Sequence, residues 1–221
     1  FVNDFKFISK PKKRHESLPP FWGGYKIIFT LLDTSLYQDM IASQAPENMK
    51  ELNRYAIPLE GDGKKIEIDL SYDEYVENKL DYDLDGTKIY LYSPIMIVYE
   101  KIRASCQQLD EYPLTANKTR ARDLYDIYKS LTNSKQMELR EQVLSVENFY
   151  ILENIFRVKE VPFSLMKKLE TKKEDLKIDY EEKVLPQVSS RNQEDFEFIF
   201  DYNQKLFNDL YKKYDEYQSS K

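Results

Sequence analysis

The sequence predicts an α+β protein, and three observations carry that assignment. Up to Tyr92, short runs alternate apolar and polar residues. From Pro94 onward, apolar residues recur at helical steps of three and four. Beyond Asn133 the pattern is helical throughout, so two domains are expected, an α/β domain over residues 1–132 and a helical one over 133–221.

The elements follow in order. Phe1 to Ile8 sets Phe5 and Phe7 on one side and Asp4 and Lys6 on the other, as in a half-buried strand. The run is entered at Phe1 with no Met, so residues upstream of it are expected to exist. Lys10 to Arg14 (KPKKR) leads to Pro19-Pro20 and reads as a loop; it is either an electrostatic arm for RNA or nucleotide phosphate or a solvated connection. Tyr25 to Leu32 is a second strand, Leu36 to Arg54 a helix interrupted by Pro46, and Gly61-Asp62-Gly63 a turn. Lys65 to Ser71 is a third strand, with Ile66, Ile68 and Leu70 opposing Lys65, Glu67 and Asp69. Two carboxylates on one strand face suit Mg²⁺, and equally suit the solvent side of an edge strand. Asp81, Asp83 and Asp85 alternate as in a calcium loop, but the closing Glu is missing; a turn at Asp85-Gly86 is expected before a strand from Lys88 to Tyr92.

A helix then starts at Ser93-Pro94, Ser as N-cap and Pro in the first turn. It carries Lys101 and Arg103, which cannot share one buried stripe, so one is expected to face a site and the other to pair with a carboxylate. A second helix from Thr119 carries Arg122, Asp123 and Asp126, the two acids three residues apart on nearly one face. Cations and carboxylates on neighbouring helices beside a strand end suit phosphate and metal handling; Arg122 bridging the acids in a purely structural network is the alternative. Helices are expected over Val146 to Val158, Pro162 to Glu170 and Asp195 to Tyr217, with a linker from Pro186 to Arg191. The last helix repeats Phe196, Ile199, Phe200, Leu206, Phe207 and Leu210 at core spacing.

Composition bounds the function. With 41% hydrophobic and 33% charged residues the chain is globular, and its 18 Tyr and 12 Phe imply an aromatic core. A net charge of −6 gives no global nucleic-acid signature, and five glycines leave little room for a Gly-rich phosphate loop. The single cysteine, Cys106, fits a reducing cytoplasm, and one histidine, His15, cannot anchor a His-based metal site. No apolar run approaches the roughly 18 residues of a membrane span, so a soluble cytoplasmic protein with no membrane partner is expected.

The segment SPIMIVYEKIRASCQQ followed by RARDLYDIY resembles the AbiEii/AbiGii toxin family of nucleotidyltransferases, of the DNA polymerase β-like superfamily. The resemblance covers Tyr25 to Leu131; the C-terminal helices match in general character. It implies a mixed or antiparallel nucleotidyltransferase sheet flanked by helices, then a helical domain. It implies transfer of a nucleotide from an NTP to an RNA acceptor such as a tRNA 3′ end, with Mg²⁺, in toxin–antitoxin or abortive-infection phage defence. An antitoxin is encoded alongside in the family and need not bind directly. Asp69 resembles the third metal-associated carboxylate, Lys101 the lysine that grips the triphosphate, and Asp126 with Asp123 the acidic D-x-x-D pair. Arg103 and Arg122 join Lys101 as candidate substrate contacts. The family's opening GG-[ST] turn and D-x-D strand are not evident. Asp4-Phe5-Lys6 aligns with D-x-D only with lysine in place of the second acid, which makes Asp4 the remaining metal candidate. Inactivity of the chain as given is therefore expected, and a non-enzymatic binding or regulatory protein retaining the fold is the alternative.

Overall fold

The computed structural model describes residues 1–43, 51–59, 63–114, 118–133 and 138–221. Pro46, Gly61 and Asp62 lie outside the described residues, and with them the expected helix interruption and most of the Gly-Asp-Gly turn. The chain is α+β and divides into two compact units, Phe1–Asp73 and Glu74–Lys221. The sequence-based boundary at 132/133 falls inside the second unit, which contains both helices of the candidate site.

The first unit is an antiparallel sheet in the order β1 (Val2–Lys10), β2 (Gly24–Leu31), β3 (Ile66–Ser71). Its register aligns Phe7, Ile27 and Ile68 across the three strands. Directly opposed residues share a face, so one side of the sheet is apolar and the other carries Lys26, Glu67 and Asp69. Strand β1 extends through Lys10, so the basic run begins inside the sheet and not after it. At Gly24 a Cβ would lie 1.9 Å from the Leu70 carbonyl oxygen, an approach only glycine allows. Helix α1 (Thr34–Ala42) starts at Asp33, whose carboxylate accepts from the Ser35 and Leu36 amides, and a 3₁₀ turn follows over Glu51–Tyr55. Leu32, Leu52 and Ala56 form this unit's small core, with Tyr37 and Met40 against it.

The second unit opens with a hairpin, β4 (Leu80–Leu84) and β5 (Thr87–Leu91). Asp81 and Asp83, whose alternation with Asp85 resembled a calcium loop, lie in strand β4. The turn is Asp85-Gly86, both at positive φ (50° and 82°), as a two-residue hairpin loop requires. The rest is helical: α2 (Pro94–Gln107), α3 (Ala121–Thr132), α4 (Leu139–Val143), α5 (Phe149–Arg157), α6 (Lys173–Asp179) and α7 (Phe196–Ser219). The helix expected over Pro162 to Glu170 is a 3₁₀ helix over Phe163–Lys172, and Tyr180–Val184 continues α6 as a π turn.

Helix α2 is the axis of this unit, packed by α3, α4, α5 and the 3₁₀ segment. Met96, Val98, Tyr99 and Ile102 are completely buried, and each contributes about 1.5–3 kcal/mol by leaving water. Tyr99 stays satisfied by donating its hydroxyl to the Val143 carbonyl at 2.9 Å. The aromatic core foreseen for the last helix is present, with Phe196, Phe200 and Phe207 buried along α7. No helix among the described residues is long and apolar enough to cross a membrane.

Candidate functional site

The site is built on the two helices of the KIRA and RARDLYDIY segments. Most of the circumference of α2 is spent on the core, and Lys101 emerges where α3 lies alongside it. On α3, Leu124, Ile127 and Leu131 are buried; the three-residue spacing of Asp123 and Asp126 turns both acids to one side. The Lys101 ammonium donates to Asp123 Oδ1 at 3.0 Å and to Asp126 Oδ2 at 2.8 Å. Around it, Arg122 Nε donates to Asp126 Oδ1 at 2.8 Å, and Arg120 Nε lies 3.4 Å from Asp123 Oδ2. Three cations thus face two carboxylates, a local surplus of one positive charge.

The cluster is half-sheltered. Side-chain exposure is 24% for Lys101, 14% for Asp123 and 28% for Asp126, while Arg120 (55%) and Arg122 (49%) reach into solvent. Burial pulls the Lys101 ammonium down, but its bonds to Asp126 and Asp123 outweigh that and leave its pKa above the ordinary lysine value. The lysine is a fixed point charge with its proton secured.

Arg103 is turned elsewhere. It is buried, with Nε donating to Glu100 Oε2 at 3.0 Å and the guanidinium also meeting Gln107. Burial pushes the Glu100 carboxyl above its ordinary value, against the pull of Arg103 and with the push of Glu74. Arg103 therefore has no spare donor arrangement of the kind Arg122 offers.

Asp69 and Asp4 belong to the first unit, where each has a lysine of its own. Asp69 accepts from Lys10 Nζ at 2.6 Å, with Lys26 Nζ at 3.9 Å; the same Lys26 is bonded to Glu67. The acidic strand face is therefore laced to the neighbouring strands by ion pairs. Asp4 sits at a bulge with φ 51°, paired with Lys6 at 2.9 Å and accepting from Asn53 at 3.3 Å. The register sets Asp69 opposite Lys26, which faces Ile8, well along β1 from Asp4.

These donor sets do not fit a divalent cation. Three of the four carboxylate oxygens of Asp123 and Asp126 accept hydrogen bonds from Lys101 or Arg122, and the fourth, Asp123 Oδ2, is buried without a hydrogen bond, with Arg120 Nε 3.4 Å away; Mg²⁺ needs more free oxygens than that to fill an octahedral shell. Among the described residues, no group of three or more His, Cys, Asp or Glu side chains comes together. The chemistry this cluster can offer is anion binding.

Sequence reasoning missed three residues here. Arg120 was visible as the first basic residue of RAR. Gln108 and Asp179, whose carbonyl and carboxylate oxygens accept from the Arg120 and Ala121 amides, gave no local signal. A cleft of about 520 Å³ opens one to two turns along α3, between Tyr125, Lys129 and Asn192. The Lys129 ammonium is taken up by Glu194 at 3.1 Å and by the faces of Tyr125 and Tyr128.

A family model described as Nucleotidyl transferase AbiEii toxin, Type IV TA system, matches residues 33–202, a stretch that contains Asp69, Lys101, Asp123 and Asp126. No curated protein and no solved structure matches the chain.

Proposed function

Because the chain belongs to the AbiEii nucleotidyl transferase toxin family of type IV toxin–antitoxin systems, we propose that its α2–α3 cluster is the triphosphate grip of a nucleotide transfer to RNA. The observation that carries this reading is the surplus positive charge around a half-sheltered lysine whose ammonium is already fixed in place. In the transfer, an acceptor hydroxyl attacks the α-phosphorus of an NTP. The new P–O bond forms as the bond to the bridging oxygen breaks, pyrophosphate departs, and the hydroxyl proton passes to solvent.

Negative charge builds on the leaving pyrophosphate, and cations pre-positioned there lower the barrier most. Lys101 offers a compact charge at the floor of the site, and Arg122 and Arg120 offer planar forks at its rim. Asp123 and Asp126 hold Lys101 until phosphate oxygens replace theirs. The acceptor is proposed to be an RNA such as a tRNA 3′ end, the setting phage defence, and the partner an antitoxin. Members of the family generally use a divalent metal; the acids described above supply no such site, and no step is routed through one. A role for Asp69 in the transfer is part of the proposal and is tested by its own substitution below.

The commitment of three of the four acidic oxygens to Lys101 and Arg122 favours a second reading, a non-catalytic protein that binds nucleotide through this cluster. One experiment separates the two. Each α-³²P-labelled NTP is incubated with total tRNA and wild type, Lys101→Ala, Asp126→Ala or Asp69→Ala protein. Transfer by wild type that falls about 100-fold or more in Lys101→Ala supports the enzyme. Equal transfer by wild type and Lys101→Ala refutes the grip. No transfer by wild type, with NTP binding lost in Lys101→Ala, favours the binding protein.

A further inference from the structure

The helix that carries the acidic pair begins without a cap of its own. Its N-cap residue is Arg120, which makes no side-chain capping bond, although the first turn of any helix leaves amides without intrahelical partners. Two of those amides are met from outside the segment. Arg120 N donates to Gln108 Oε1 at 2.9 Å, and Ala121 N donates to Asp179 Oδ2 at 3.0 Å. Gln108 follows the C-terminus of α2; Asp179 is the last residue of α6, immediately before the π turn. Both are enclosed, at 5% and 6% exposure, as is Ala121 at 1%.

A carboxylate so buried is costly unless its oxygens are met. Asp179 is met on both sides: Oδ2 takes the Ala121 amide and Oδ1 the Lys183 ammonium. Asp179 therefore does for α3 what a local Ser or Asp does for most helices, and does it from 58 residues away.

We propose that Asp179 and Gln108 are positioning residues, a remote two-point cap that sets the register at which Asp123 and Asp126 meet Lys101. The geometry makes register matter. One residue along a helix is about 100° of rotation and 1.5 Å of rise, so a slip of one position takes both acids off the lysine. Asp123 lies in the first turn, next to the capped amides, and Asp126 one turn further. The first turn also carries Arg122, so Arg122 moves with the acids while Lys101 stays on α2.

The structural half of this proposal stands on geometry alone; its consequence for transfer rests on the reading of Lys101 as the triphosphate grip. The test therefore reads Lys101 directly. The Lys101 side-chain ¹³Cε resonance, assigned by its loss in Lys101→Arg, is titrated in full-length wild type, Asp179→Ala, Asp179→Asn and Lys183→Met protein. Folding is checked by far-UV circular dichroism.

In Asp179→Ala the carboxylates leave Lys101 while its burial remains, so its titration midpoint shifts downward. Asp179→Asn keeps an acceptor oxygen and holds the wild-type midpoint, as does Lys183→Met, which leaves the cap in place. Should Asp179→Ala fail to fold, Gln108→Met removes the other capping acceptor and gives the same downward shift. An unmoved Lys101 in folded Asp179→Ala, or in Gln108→Met, overturns the proposal. So does a shift in Lys183→Met as large as that in Asp179→Ala, which would assign the effect to the ion pair. Nucleotide transfer, measured in parallel, falls about tenfold to 100-fold in Asp179→Ala. A moved Lys101 with transfer unchanged rejects the grip and leaves the cap standing.

Discussion

Replacing Lys101 by Met keeps most of the side-chain volume, deletes the ammonium, and leaves Asp123 and Asp126 facing each other across its former place. Two charge-assisted bonds are lost, at 3.0 and 2.8 Å. In a dry interior each would be worth about 1.5–3 kcal/mol. Exposures of 24%, 14% and 28% let solvent screen the pair, and Arg120 and Arg122 stay beside the acids. Lys101 also ceases to pay its own desolvation. The net expected loss is about 1–2 kcal/mol. At a urea slope of about 2 kcal/mol/M the midpoint falls by about 0.5–1 M. Far-UV circular dichroism is the probe, because α2 to α7 belong to the second unit and dominate the helical signal. The pH dependence has a definite sign. Lys101 has a folded-state pKa above its ordinary 10.5, so its contribution is fully present below that value and disappears as pH rises through the higher folded value. The wild-type advantage is thus constant from neutrality to about pH 10 and shrinks beyond it. A Lys101→Met protein as stable as wild type at pH 7, or an advantage undiminished at high pH, would refute the ion-pair reasoning.

Two further outcomes follow from groups outside the cluster. Cys106 is 1% exposed, and burial pushes its thiol well above the usual range despite nearby Arg103. Ellman's reagent should leave the native protein unmodified at neutral pH and react only as urea unfolds it; rapid native labelling would show that α2 opens locally. Asp195 caps α7, accepting from the Glu197 amide at 2.9 Å and the Phe198 amide at 3.4 Å. Asp195→Ala should cost about 1 kcal/mol and Asp195→Ser far less, read from urea midpoints; equal losses would show that the cap is not the cause.

What could be read from the chain followed the range of the forces involved. Helices α2 and α3 and the acid spacing were legible, because helical periodicity and the i, i+3 rule are local. The family resemblance singled out Lys101, Asp123 and Asp126, whose 22- and 25-residue separations no local pattern contains. Strand β4 was misread for a different reason. Leu80, Tyr82 and Leu84 alternate ahead of an Asp-Gly hairpin turn, yet the interleaved Asp81 and Asp83 were read with Asp85 as a calcium-loop-like acidic pattern. Helix α6 and its π turn went unnoticed behind their charges, although Leu176, Tyr180 and Val184 recur every four residues and are buried. Asp179 could not have been found that way. Its partner is a backbone amide in another helix, and the sequence placed the helix start at Thr119, whereas the observed N-cap is Arg120, whose side chain caps nothing.

A lysine gripped by two carboxylates can look spent, but the charge balance argues otherwise. Holding Lys101 rigid during folding removes side-chain freedom, about 2 kcal/mol for a free lysine, before any ligand arrives. An incoming phosphate then trades oxygen for oxygen at the ammonium, so little bonding is lost in the exchange. Each acid released has a second cation waiting, Arg120 for Asp123 and Arg122 for Asp126, at 3.4 and 2.8 Å. No buried carboxylate is stranded when the lysine turns to phosphate, and stranding one would be the prohibitive cost. A divalent cation arriving at the same acids would have to displace three positive groups and would sit among them. The arrangement is therefore poised for a polyanion and against a bare metal ion, and it holds that poise only while α3 keeps its register.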